Sequence, residues 1–76
     1  MIRDNAVLFY NLESELVRAG ISKPALAAMI EISVSALYAK MNGSRPFKLN
    51  ECERIRKYLE IATDREFSLD YLFESH

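Results

Sequence analysis

The sequence predicts an all-α fold, a compact bundle of about five short helices, and three observations indicate it. Apolar residues recur at three- and four-residue intervals along most of the chain, as they do on one face of a helix. Serines stand directly before three of these stretches, where a hydroxyl can accept a hydrogen bond from a first-turn N–H group. Both glycines follow such stretches, at positions where helices commonly end.

The first predicted helix covers residues 5–19 and ends at Gly20. Its apolar stripe consists of Val7, Leu8, Leu12 and Leu16. Three of these residues repeat every fourth position, so the helix presents one apolar side to a core. Glu13 and Glu15 are assigned to the opposite, polar side, which we expect to face solvent rather than a substrate.

Two shorter helices joined by a tight turn are predicted within residues 22–43, with Ser22 and Ser33 as their caps. Their inward residues are Leu26, Ala27, Ile30, Leu37 and Met41. The small Ala27 allows the second helix to cross close to the backbone of the first, and Ile32 fills the space beneath the crossing. This is the helix-turn-helix layout, whose second helix, Val34–Met41, can enter a DNA major groove.

The fourth predicted helix begins between Leu49 and Glu51 and ends near Ile61. Its apolar side comprises Cys52, Ile55, Tyr58 and Leu59. Asn50 and Glu53 have the spacing of a capping box at its start.

A loop around Pro46 precedes this helix, and we expect Phe47 to return to the core. Ser68 caps a fifth short helix, residues 69–73, whose apolar side chains close the bottom of the core. We therefore expect residues 1–76 to form a single domain.

Charge is segregated along the chain, although the formal net charge is only −1. Residues 22–48 carry four basic side chains and one acidic one, whereas residues 49–76 carry four basic and seven acidic ones. The positive charge therefore coincides with the predicted helix-turn-helix, which favours a nucleic-acid partner.

Several other functions are not expected from this composition. Cys52 is the only cysteine, so the chain can form neither an internal disulfide nor a cysteine cluster for a metal, and its apolar setting indicates an inert thiol. His76 has no partner at a catalytic spacing, and no glycine-rich phosphate loop is present. We expect no enzyme activity, no cofactor and no small-molecule substrate. No apolar run is long enough to span a membrane and no signal peptide is recognisable, so a cytoplasmic protein is expected.

The central segment resembles the helix-turn-helix of the phage Cro and lambda-repressor-like (XRE) transcriptional regulators. The matching positions are Ser22, Leu26, Ala27, Ile30, Ile32, Ser33, Leu37, Asn42 and Gly43. The resemblance extends over roughly residues 5–73. Two positions depart from the family. Glu31 replaces the usual glycine of the turn, where a left-handed backbone costs about 1 kcal/mol or more, and Lys40 replaces an apolar residue near the end of the second helix.

The second helix of the motif has a small, neutral and slightly apolar outer face, which suits a groove better than solvent alone. The predicted base contacts are Val34, Ser35, Tyr38 and Ala39. The predicted contacts to the DNA backbone are Ser22, Lys23, Lys40, Asn42, Ser44 and Arg45. Lys23 is included because it begins a helix whose N-terminus suits an anion, and the last three because related repressors touch the backbone there.

The resemblance implies a sequence-specific double-stranded DNA-binding regulator of transcription, of the phage or prophage repressor type, in the bacterial cytoplasm or nucleoid. A weak homodimer on an inverted-repeat operator is expected, because one helix of small residues makes too few base contacts alone. The residues assigned to that interface are Phe9, Tyr10, Ile61 and Phe67. One alternative stays open, a protein-interaction module, such as an antirepressor or accessory subunit, that uses the same apolar face for a protein.

Overall fold

Five α-helices follow one another in the computed structural model, which describes residues 8–75. They are α1 (Tyr10–Ala19), α2 (Lys23–Met29), α3 (Val34–Met41), α4 (Leu49–Thr63) and α5 (Leu69–Leu72). No strand occurs in this part of the chain, so the predicted all-α fold is confirmed. Helix α1 packs against α4 and α5, while α2 and α3 pack against each other.

The first helix begins at Tyr10, later than predicted. The expected start at Asn5 lies outside the described residues, but Leu8 and Phe9 are described and are not helical. The end of the helix is as predicted, because Gly20 adopts a left-handed conformation with φ 71° and closes the last turn.

Apolar side chains from all five helices and two connecting segments form the core. The buried ones are Leu12, Leu16, Leu26, Ala27, Ile30, Leu37, Met41, Ile55, Leu59, Phe67 and Leu72. At one edge Phe9, Phe47 and Phe73 pack edge to face, with ring centroids 5.3 to 5.9 Å apart. Phe47 therefore returns to the core, as predicted.

Two of the four residues assigned to a dimer interface are not surface residues. Phe67 is buried, and Phe9 belongs to the aromatic cluster just described. Periodicity alone left both residues unassigned, because Phe9 is not on the apolar stripe of the first predicted helix and Phe67 lies in a connection. Tyr10 and Ile61 are the two exposed residues of the predicted set.

Helices α2 and α3 form the predicted helix-turn-helix, and their axes differ in direction by 106°. Ser22 Oγ accepts the N–H of Ala25 at 3.2 Å, and Ser33 Oγ caps α3 in the same way. In the turn between them Glu31 has φ 64°, so it adopts the left-handed conformation that its replacement of glycine implied. No single helix among the described residues is long and apolar enough to cross a membrane; only the sharply bent pair α2 and α3 reaches that length and hydropathy.

The start of α4 differs from the predicted capping box. The helix follows Lys48, whose backbone N–H donates to Glu51 Oε1 at 2.9 Å. Asn50 and Glu53 do not form the box, because Asn50 already lies inside the first turn. The helix continues two residues beyond Ile61, and Asp64 ends it with a left-handed backbone.

Glu15 of α1 is buried, although its position was predicted to face solvent. Its carboxylate accepts a hydrogen bond from Tyr71 Oη at 2.7 Å and contacts the guanidinium groups of Arg18 and Arg65 at 3.3 Å. This group ties α1 to α5, and the cap of α5 by Ser68 is as predicted. The hydrogen bond to Glu15, together with burial and the negative charge, raises the pKa of Tyr71.

Candidate nucleic-acid interface

The outward side of α3 presents Val34, Ser35 and Tyr38, which we call the α3 surface. Tyr38 is 51% exposed and Val34 39% exposed, and Ser35 is also exposed. Ala39, the fourth predicted base contact, is half-buried at the edge of this surface. Leu37 on the opposite side of α3 is buried in the core, and this packing sets which side of the helix faces outward.

The structure corrects the assignment of Lys40 to a phosphate contact. Its side chain is buried, and Nζ lies 2.6 and 2.7 Å from the two carboxylate oxygens of Glu51. The ammonium points away from the α3 surface into the contact with α4, so it is unavailable to DNA. Met41, the next residue, is also buried. The side chains of the last two residues of α3 therefore both face the interior.

The environment of Glu51 favours its ionised form. Burial acts to raise its pKa, but hydrogen bonds from Lys40 Nζ and the Lys48 backbone N–H, together with the charges of both lysines, outweigh burial and lower the pKa. Glu51 is thus ionised at neutral pH, and the same carboxylate starts α4 and anchors α3.

Lys23, at the start of α2, has its ammonium occupied by a carboxylate. Nζ lies 2.6 Å from Glu13 Oε2 of α1 and 5.5 Å from the centre of the Tyr38 ring. The N-terminus of α2 also offers fewer donors than predicted. Pro24 has no N–H, and the N–H of Ala25 is bound by Ser22 Oγ.

The loop that follows α3 is folded back onto the end of that helix. The N–H groups of Ser44 and Arg45 both donate to the carbonyl oxygen of Ala39, at 2.9 and 3.2 Å. Asn42 Oδ1 accepts a second bond of 2.9 Å from the Ser44 N–H. The predicted contact residues Asn42, Ser44 and Arg45 are thereby brought together, all exposed, beside the α3 surface.

The accessible positive charge is smaller than the sequence suggested. Of the four cations in residues 22–48, Lys40 is buried in an ion pair and Lys23 is paired with Glu13. Arg45 and Lys48 are exposed on the segment between α3 and α4. The electrostatic part of the candidate interface therefore depends mainly on these two side chains.

Sequence reasoning missed Glu13 and Glu51, the carboxylates that position Lys23 and Lys40. A signal for the burial of Lys40 was present, because Lys40 lies three residues after Leu37 on the buried side of α3. Both pairs join residues from different helices at no regular spacing, and the sequence offers no signal for either pairing.

Other chemistry has little support in the described residues. Residues 8–75 contain no group of three or more His, Cys, Asp or Glu side chains placed to hold a metal ion. Burial, and then the charge of Glu51, raises the pKa of the Cys52 thiol, which keeps it protonated at neutral pH.

A family model described as BetR domain matches residues 3–72, nearly the whole chain. This domain is small, helical and of helix-turn-helix type. No curated protein matches the chain, and no solved structure does.

Proposed function

The chain belongs to the BetR domain family, and we propose that it is a sequence-specific double-stranded DNA-binding protein that regulates transcription. In this proposal α3 enters the major groove and the bound protein blocks or assists polymerase. The observation that carries the proposal is the α3 surface, an uncharged, exposed helix face with Arg45 beside it. A purely solvated face would carry charged residues, which favour both helix and water.

Each side chain of the α3 surface has a role that its chemistry allows. The hydroxyl of Ser35 can donate to or accept from a base edge, and Val34 can contact a thymine methyl group. Tyr38 can do both, because its hydroxyl can hydrogen-bond to a base edge and its ring can contact a thymine methyl group. Reading by Val34 and Ser35 requires close approach, which the burial of Lys40 favours because its long charged side chain does not project from α3.

Arg45 and Lys48, with the Ser44 hydroxyl, are proposed to bind phosphates and set the register of α3. Positioning and reading are then separate tasks, as they are in most protein–DNA interfaces. The fold of the loop onto the Ala39 carbonyl supports this role, because it holds the positioning groups at a fixed distance from the reading groups.

The finer resemblance to Cro and lambda-repressor-like regulators supports a phage or prophage repressor in the bacterial cytoplasm or nucleoid. We propose a weak homodimer on an inverted-repeat operator, since one α3 surface offers few base contacts. Tyr10 and Ile61 remain as interface residues, and the exposed Val17 of α1 joins them as a candidate. An interface of so few apolar residues is small, which fits a dimer that forms fully only on DNA.

The exposure of Tyr38 and Val34 also favours a second candidate, a protein-interaction module, because aromatic side chains are common in protein interfaces. Titration of a fluorescent duplex of mixed sequence at low salt separates the two. Binding of the duplex at low salt that is lost as the salt concentration rises supports the DNA function. No retention at low salt would favour the protein partner.

A further inference from the structure

Glu13, Lys23 and Tyr38 come from three different helices and form one contiguous group at the edge of the α3 surface. The Glu13 carboxylate binds the Lys23 ammonium at 2.6 Å, and that ammonium lies 5.5 Å from the Tyr38 ring centre. Both charged side chains are partly exposed, Lys23 at 23% and Glu13 at 28%. A negative charge therefore stands next to the face that we propose meets DNA.

A carboxylate in this place opposes electrostatic binding in two ways. It repels phosphates, and it occupies the ammonium closest to Tyr38, which would otherwise neutralise a phosphate. Partly exposed ion pairs contribute little to folding stability, so stability gives a weak reason for this pair. An effect on DNA binding is a stronger reason for the pair.

We propose that Glu13 determines specificity by withholding Lys23 from phosphates and keeping it against the Tyr38 ring. This inference rests on the proposed DNA function. Binding to DNA of any sequence depends on phosphate neutralisation, so the loss of one cation weakens it directly. Binding to the preferred sequence also uses the Tyr38 ring, whose position the Lys23 ammonium helps to hold. Glu13 therefore lowers generic binding more than specific binding.

The test replaces Glu13 by Gln in the full chain and measures binding to a duplex of mixed sequence over a range of salt concentrations. Glu13→Gln should raise affinity at low salt about two- to fivefold, the range set by releasing a partly exposed ion pair. The slope of log affinity against log salt should become steeper by about 0.9, because one more phosphate is neutralised. Glu13→Ala, which favours helix, should behave alike and covers the case in which the first variant folds poorly.

Two controls separate the pair from net charge. Glu66→Gln makes the same change of charge in the segment between α4 and α5. This variant should leave the slope of log affinity against log salt unchanged. The steeper slope of Glu13→Gln should disappear when Lys23→Gln is added, because the released cation is then missing. A selection from random duplexes should return a less enriched motif for Glu13→Gln than for the wild type.

Equal salt slopes for the wild type and both Glu13 variants would overturn the inference and leave the DNA function standing. The same holds if Glu66→Gln steepens the slope as much. Absence of binding by the wild type and by every variant would overturn the DNA function, and the inference with it.

Discussion

Lys40 of α3 and Glu51 of α4 form a buried ion pair, with Nζ 2.6 and 2.7 Å from the two carboxylate oxygens. Glu51 also accepts the Lys48 N–H that opens α4. One carboxylate thus joins the inner side of the proposed recognition helix to the start of the next helix. The angle at which the α3 surface is presented depends on this contact.

Removing one partner of this pair should destabilise the fold strongly. Lys40→Met leaves the Glu51 charge buried without its partner and should lower the free energy of unfolding by about 3 to 5 kcal/mol. The double variant Lys40→Met with Glu51→Gln should recover most of this loss, because the amide oxygen can still accept the Lys48 N–H. Urea denaturation measures both. A Lys40→Met protein as stable as the wild type would contradict the buried pair.

Acid should weaken the protein through the same carboxylate. The pKa of Glu51 in the folded protein is below its ordinary value, so its stabilising contribution is present above the unfolded pKa of about 4.3. That contribution is lost as pH falls through the lower, folded pKa. Free energies of unfolding measured from neutral to acid pH should therefore fall less for the double variant than for the wild type. Parallel curves would exclude a role for Glu51.

Tyr71 should ionise at a higher pH than an ordinary tyrosine. Its hydrogen bond to Glu15, its burial and the Glu15 charge raise its pKa, while Arg18 and Arg65 act in the opposite direction. The stability contributed by this raised pKa is present below about pH 10 and is lost as pH rises through the folded pKa. Phenolate absorbance should show a late titration step that Tyr71→Phe removes. An unchanged titration curve in that variant would contradict the contact.

Reading and positioning residues should respond differently to substitution. Ser35→Ala and Tyr38→Ala should each change the preferred base at one or two positions, with a discrimination loss of about 1 to 3 kcal/mol. Arg45→Ala and Lys48→Ala should weaken all sequences alike and flatten the salt slope. Since Lys40 is buried, the wild-type slope should be near −2 to −3 per subunit, as two to three phosphates are neutralised. If only the Arg45 and Lys48 variants changed the preferred DNA sequence, the assignment of reading and positioning residues would be reversed.

Local sequence signals predicted the helix-turn-helix well. The caps Ser22 and Ser33 placed the starts of α2 and α3 at the observed residues, because capping and periodicity act within a few neighbouring positions. The left-handed turn at Glu31 was also predictable, since the position has a defined backbone in the family that the segment resembles.

Contacts between distant charged residues could not be predicted in the same way. Glu15 lies three residues after Leu12 and directly before Leu16, so its side chain was on the edge of the apolar stripe. Two of the three groups that make its burial favourable, Tyr71 and Arg65, are distant in sequence. The same holds for Lys40 and Glu51. Periodicity identifies the buried side of a helix, but the partner that neutralises a buried charge belongs to the tertiary structure.

That α3 reads DNA sequence is a claim that a selection of bound duplexes from a random pool can decide. We expect enrichment of an inverted repeat with half-sites about one helical turn apart, near 34 Å, so that two α3 surfaces meet the same face of the duplex. Enrichment of a single half-site would leave the reading role intact and remove the dimer. A bound pool with no sequence preference at any salt concentration at which binding occurs would contradict the claim.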